Sequence, residues 1–255
     1  MPNPVKAKPY VGITGFMNYL QVEEVLRVLP EEPKFQLMVG VLVSDKTLVG
    51  QTNNHPNEFP PIHRVSEIFH PDSRVLNLVH YNTHNTLSLP GQMADIKIYA
   101  GSNCQGFQLN IDWPSIDDLA RFRRRYPRLV IVQQISATVM AETTPEQLAR
   151  RISSEYSDLI DHVLLDGSGG FGKPLHLGLC EDYIGALLAH NLHKKIGIGI
   201  AGGLCAESLS RLAPLFRAYP KLNIDAQGRL RTTDKTTLDM QRCIEYVQVA
   251  LTLPY

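Results

Sequence analysis

Eight short runs of valine, isoleucine and leucine punctuate this chain, each followed by a longer segment with helical spacing, and that alternation constrains the fold more than any other feature. The runs are YVGITGF (10–16), LMVGVLVS (37–44), VLNLVHY (75–81), GFQLNID (106–112), LVIVQQIS (129–136), HVLLDGS (162–168), IGIGIAGG (196–203) and LNIDAQG (222–228). Apolar runs bounded by turn residues suit strands covered on both faces, and helices between them supply the crossovers of a parallel sheet. The intervening stretches include YLQVEEVLRVLP, SIDDLARFRRRYP, TPEQLARRISSEYSD, EDYIGALLAHNLHKK, AESLSRLAPLFRAYP and TLDMQRCIEYVQVAL. Several open on Ser, Thr or Asp ahead of acidic residues and close on basic residues or Pro, as helix caps and the helix dipole favour. Eight such units in about 250 residues predict an α/β fold, a single (β/α)8 barrel domain over residues 1–255, rather than an open sheet. The second and third units are the least regular, and GQTNNHPNEFPP (50–61) reads as a long polar loop.

Charge excludes several partners. Twenty-five basic side chains against 25 acidic ones leave no net field to gather nucleic acid or anionic lipid. The densest basic run, RFRRRYPR (121–128), reads as the solvated face and end of a helix. No window approaches the roughly 18 apolar residues of a membrane span, and the N-terminal stretch lacks the apolar core of a signal peptide. The expectation is a cytoplasmic protein, monomer or homodimer. Cys104, Cys180, Cys205 and Cys243 stand too far apart for a disulfide framework or zinc knuckle and read as reduced packing residues. No metal and no cofactor is called for.

From Gly167 to Lys173 the chain satisfies Gly-x-x-x-x-Gly-Lys, the pattern of a nucleotide-phosphate loop. Such a loop needs Ser or Thr after its lysine to hold magnesium, and this chain has Pro174. The stretch fits better as the loop after the sixth strand, on the face where barrel enzymes carry their chemistry.

Five segments together resemble one family. YVGITGF, FQLNID, LLDGSGGFGKPL, GIAGGL and IDAQGRLR with the following DKTTLDM fall in the order, and at the barrel spacing, of the strand-one, -four, -six, -seven and -eight motifs of phosphoribosylanthranilate isomerases. The resemblance covers essentially the whole chain and is most specific in strands six and seven. It implies an isomerase of aldose–ketose type acting on a ribose-phosphate substrate, with Asp166 as general acid. It also implies a phosphate held by backbone amides at Gly202, Gly203 and Gly228, with Gly170, Gly172 and Lys173 in the strand-six loop. Asp225 matches a substrate-site aspartate. Glycine at those places also has independent logic, because backbone without a Cβ approaches an anion closely, although glycines at strand ends are often only turns. Asp166 ends an apolar strand, where burial raises a carboxyl pKa toward the working range; its alternative role is to cap loop amides.

The chain departs from the family at Val11, which stands in place of the cysteine base, at Asn110 in place of a histidine, and at Ala226 and Gln227 in place of serines. Other candidates come from the strand ends: His80, Tyr81, Asn82, His84 and Asn85 after strand three, Asn110 and Asp112 after strand four, Gln133 and Gln134 in strand five, and Arg229 after strand eight. Of these, Asn110, Gln133 and Arg229 are assigned to binding, while His80 and Asp112 join Asp166 and Asp225 as catalytic candidates. His80 and His84 have the i, i+4 spacing of a zinc pair, but only on a helix, and their segment reads as strand running into loop. Two alternatives stay open: a different phosphosugar reaction (lyase, hydrolase or epimerase) using His80, His84 or Asp112, and a catalytically silent ligand-binding barrel.

Overall fold

A computed structural model describes residues 8–167 and 177–255; of Leu177 only the backbone is described. The eight runs become eight parallel strands, β1 (Tyr10–Thr14), β2 (Gln36–Ser44), β3 (Val75–Asn82), β4 (Gly106–Leu109), β5 (Val130–Ile135), β6 (His162–Asp166), β7 (Gly197–Ala201) and β8 (Asn223–Ala226). Each pairs with the next, and β8 returns to β1 through Gly12↔Asp225, so the sheet closes as a barrel in sequence order.

Helices separate the strands. They are α1 (Tyr19–Leu26), α2 (Asp45–Leu48), α3 (Val65–Ile68), α4 (Leu89–Ala100), α5 (Ile116–Arg125), α6 (Ala137–Glu142), α7 (Pro145–Arg151), α8 (Leu177–Ala189), α9 (Ala206–Leu209), α10 (Ala213–Ala218) and α11 (Met240–Leu251). Their ends follow from local chemistry. Ser115 accepts from the Asp118 amide at the start of α5, whose first turn is acidic and whose last turn carries three arginines, in the sense the helix dipole favours. Thr144 and Gln147 satisfy each other's backbone amides at the start of α7. The second unit is irregular, as the sequence suggests: after α2 the chain runs as loop until Ile62.

Strand alternation sorts the apolar side chains into two cores. Odd positions of β1, such as Val11 and Ile13, join Leu37, Val39, Val79, Phe107, Val163 and Ile200 between sheet and helices. Tyr10, Met38, Leu76, Leu78, Val132, Leu164 and Ala201 fill the barrel interior. Each large aliphatic side chain so enclosed contributes about 1.5–3 kcal/mol by leaving water.

One sequence expectation fails in this layer. Arg123 belongs to the run read as solvated, yet it is buried, donating to Leu129 O at 2.7 Å, to Leu159 O at 2.7 Å and to Asp161 Oδ2 at 2.7 Å. Its neighbours Arg121, Arg124 and Arg125 are exposed, as expected.

Candidate functional site

Above the apolar plug the inward side chains turn polar, because the strand positions that follow it carry Thr14, His80, Gln108, Gln134, Asp166 and Asp225. Register sets them side by side: His80 pairs with Gln108 across β3 and β4, and Asp166, Ala201 and Asp225 lie in one row across β6, β7 and β8. All six are buried. This row lies toward the C-terminal ends of the strands, where barrel enzymes build their sites.

A continuous hydrogen-bond chain links the two carboxylates. Thr14 Oγ1 donates to both oxygens of Asp225 at 3.1 Å, and Gln108 Nε2 donates to Asp225 Oδ2 at 3.0 Å. The same Gln108 nitrogen donates to Gln134 Oε1 at 3.1 Å, and Gln134 Nε2 donates to Asp166 Oδ2 at 2.9 Å. Burial pushes the Asp225 carboxyl up to about 7; the hydrogen bonds from Gln108 and Thr14 pull it back, and the Asp166 charge adds to the rise. Burial pushes His80 down to about 4, so its imidazole is neutral at neutral pH; Gln134 opposes that shift without meeting the geometry of a hydrogen bond to either ring nitrogen. Both His80 nitrogens and Gln108 Oε1 are buried polar atoms without a hydrogen-bond partner among the described residues. Buried orphans of this kind are rare, and three in one layer mark a network that a bound polar molecule would complete.

The sequence candidates divide. Asp166, Asp225 and His80 converge in this layer. Asp112 and His84 are exposed in loops beyond β4 and β3, and Asn110 is half-buried just past β4. Gln133 does not face the site: alternation turns it toward the helices, where its amide donates to Ile111 O and Gln134 O, both at 2.8 Å. Tyr81 is likewise turned outward, its hydroxyl donating to Gln92 Oε1 at 2.8 Å. Val11 lies in the outer core, so the strand position matched to the family's base points away from the barrel, and the inward side chains of β1 are Tyr10 and Thr14. Gly170, Gly172 and Lys173 lie outside the described residues. Thr14 and Gln108 were missed, although counting by twos from Asp225 and His80 along paired strands would have found them.

Gly202 and Gly203 follow β7 with φ of +105° and +64°, a backbone that side chains rarely adopt. Both are half-buried, and among the described residues no backbone hydrogen bond uses the Gly203 amide. Gly228 opens a 3-10 turn after β8, and Arg229 beside it is exposed. Among the described residues no group of three or more metal-ligating side chains comes together, and no helix is long and apolar enough to cross a membrane.

Solved structures share this architecture. Phosphoribosyl anthranilate isomerase from Thermotoga maritima superposes with a TM-score of 0.65 at 15% identity, over 96% of this chain and 100% of that one. The likeness is one of fold. It extends to the catalytic domain of a hyperthermophilic chitinase from Pyrococcus furiosus, with a TM-score of 0.57 at 10% identity over 100% of this chain and 99% of that one. Triosephosphate isomerase from Bartonella henselae gives 0.56 at 10% identity, over 95% and 99%. No family model and no curated protein matches the sequence. Barrels of different chemistry therefore fit the chain almost equally well, and function has to be argued from the site.

Proposed function

We propose that the chain binds a phosphorylated sugar at the C-terminal mouth of the barrel and isomerises it by proton transfers to and from Asp166 and Asp225. The observation that carries this reading is the pair of buried carboxylates held by one amide relay, with Asp225 poised near neutrality. A base is most effective when its pKa lies near the working pH, and two carboxylates sharing a low-dielectric site hold a single proton between them more readily than none. Asp166 gives a proton to the departing ring oxygen and takes one from the anomeric hydroxyl, opening the sugar to its aldehyde. Asp225 as carboxylate removes the proton next to the carbonyl carbon and returns one to the former carbonyl carbon, while Asp166 moves the proton of the C2 hydroxyl to the carbonyl oxygen, so that both acids end as they began. This assigns to Asp225 the role that Val11 cannot fill. Gly202, Gly203 and Gly228 seat the phosphate, a role supported by glycine backbone that admits an anion closely.

Solvent exchange tests the reading. Ribose 5-phosphate incubated with the protein in heavy water should yield the 2-ketose with deuterium at C1, followed by proton NMR. Asp225→Asn should slow incorporation by about 100-fold or more, the usual scale of a lost general base. Wild-type protein that binds the sugar phosphate yet forms no ketose would remove the isomerase reading.

His80 favours a second reading, an elimination or hydrolysis on the same ligand. Its neutral imidazole, with both nitrogens unpartnered among the described residues, suits hydrogen bonding to a leaving oxygen.

A further inference from the structure

Arg231 lies eight residues from the start of the network strand β8 and was singled out by nothing in the sequence. It is 3% exposed, yet its Nε and Nη2, which together form one complete edge of the guanidinium, have no hydrogen-bond partner among the described residues. Glu58, from the long loop after α2, places Oε2 3.2 Å from Nη2, an ion pair without hydrogen-bond alignment. Gln227 Nε2 holds the same Glu58 oxygen from 3.4 Å. The arginine also packs on Gly15, where a Cβ would sit 2.6 Å from the same Nη2. Gly15 follows Thr14, the residue whose hydroxyl bonds Asp225. The guanidinium is thus one residue along the chain from the carboxylate network.

Arg231 also lines a cavity of about 740 Å³ between the Glu58 loop and the loops after β8, with Arg229 and Lys235 as further cations and Glu58 and Asp234 as carboxylates. Three cations face two carboxylates there, and displacing Glu58 would leave three against one. A buried arginine edge without hydrogen bonds is costly, and two parallel N–H donors in one plane match the two oxygens of a carboxylate.

We infer that the Nε and Nη2 edge of Arg231 is a binding site for a carboxylate carried by the substrate, and that Glu58 is the internal carboxylate occupying it until the ligand arrives. The inference rests on the sugar-phosphate reading of the same mouth and narrows the substrate to a phosphosugar with an acidic group. Displacement of Glu58 by a group that meets both donors exchanges one poorly aligned ion pair for two charge-assisted hydrogen bonds.

Calorimetric titration of ribose 5-phosphate and of 5-phosphoribonate, its aldonic acid, tests the inference. Wild-type protein should bind the acid about tenfold more tightly. Arg231→Gln should erase that preference, and Glu58→Gln, which removes the internal competitor and can be made without emptying the buried position, should widen it by several-fold. Equal affinities in the wild type, or a preference that Glu58→Gln narrows, would overturn the carboxylate site while leaving the phosphosugar reading in place. Failure of both ligands to bind would remove that reading and the inference with it.

Discussion

At the scale of single residues, Asp225 governs both chemistry and stability. Its carboxyl titrates near 7 in the fold against 3.8 for the free side chain, so the folded protein binds the extra proton between those values. Its contribution therefore favours folding below about pH 4 and is lost as pH rises through 7, by up to about 4 kcal/mol if the shift is taken whole. Asp225→Asn should unfold at higher temperature than the wild type at pH 8 and show a smaller gain at pH 5, while losing activity at both. Calorimetry at the two pH values checks this. Gly12 is a second decisive position, because an added Cβ would stand 2.6 Å from Met38 Cε and 2.7 Å from Asp225 Oδ1. Met38 can yield, but the carboxylate is fixed by Thr14 and Gln108. Gly12→Ala should fold with a loss of about 1–3 kcal/mol, read by urea denaturation, and lose activity as Asp225 is displaced.

At the scale of elements, the ends of helices carry measurable stability. Thr144→Ala removes one half of the box that starts α7 and should cost about 1 kcal/mol by denaturant titration, with ligand binding unchanged. Arg123 ties α5 to the segment entering β6, and Arg123→Ala should cost about 3–5 kcal/mol because Asp161 and two carbonyls lose a charged partner. The strands and most helices were legible from the sequence, because runs such as LMVGVLVS are apolar on both faces and segments such as SIDDLARFRRRYP carry their own caps. The fate of Arg123 was not legible. Helical spacing says which face of α5 is buried, but only the tertiary fold brings the carbonyls of Leu129 and Leu159 to that face.

At the scale of the molecule, acid sensitivity follows from two enclosed histidines. His80 in the polar layer and His162 at the opposite end of the barrel are each held near 4 by burial, against an ordinary value of 6.5. The unfolded chain takes up those protons first, so stability should fall as pH drops from 6.5 to 4, by up to about 3 kcal/mol for each histidine. Asp225 opposes this loss over the same range, and its removal should steepen the decline. Chemical denaturation at pH 4.5 and 6.5, in wild type and Asp225→Asn, checks the sign. The candidate site was only partly readable for a related reason. Asp166 and Asp225 stood out as charges ending apolar strands, whereas Gln133 and Gln134 are equivalent in one dimension, and only the phase of the pleat, set by the neighbouring strands, decides that Gln134 faces inward. Arg231 had no local signal, since the partner that marks it lies 173 positions earlier in the chain.

The two glutamines between the carboxylates have one further consequence. An amide holds its neighbours in place but does not pass a hydron along, so Gln108 and Gln134 join Asp225 to Asp166 mechanically and insulate them from each other. A hydron lifted by one acid can reach the other only by way of the bound molecule or the surrounding medium. How much isotope is retained within a single turnover therefore measures how well the occupied mouth is sealed.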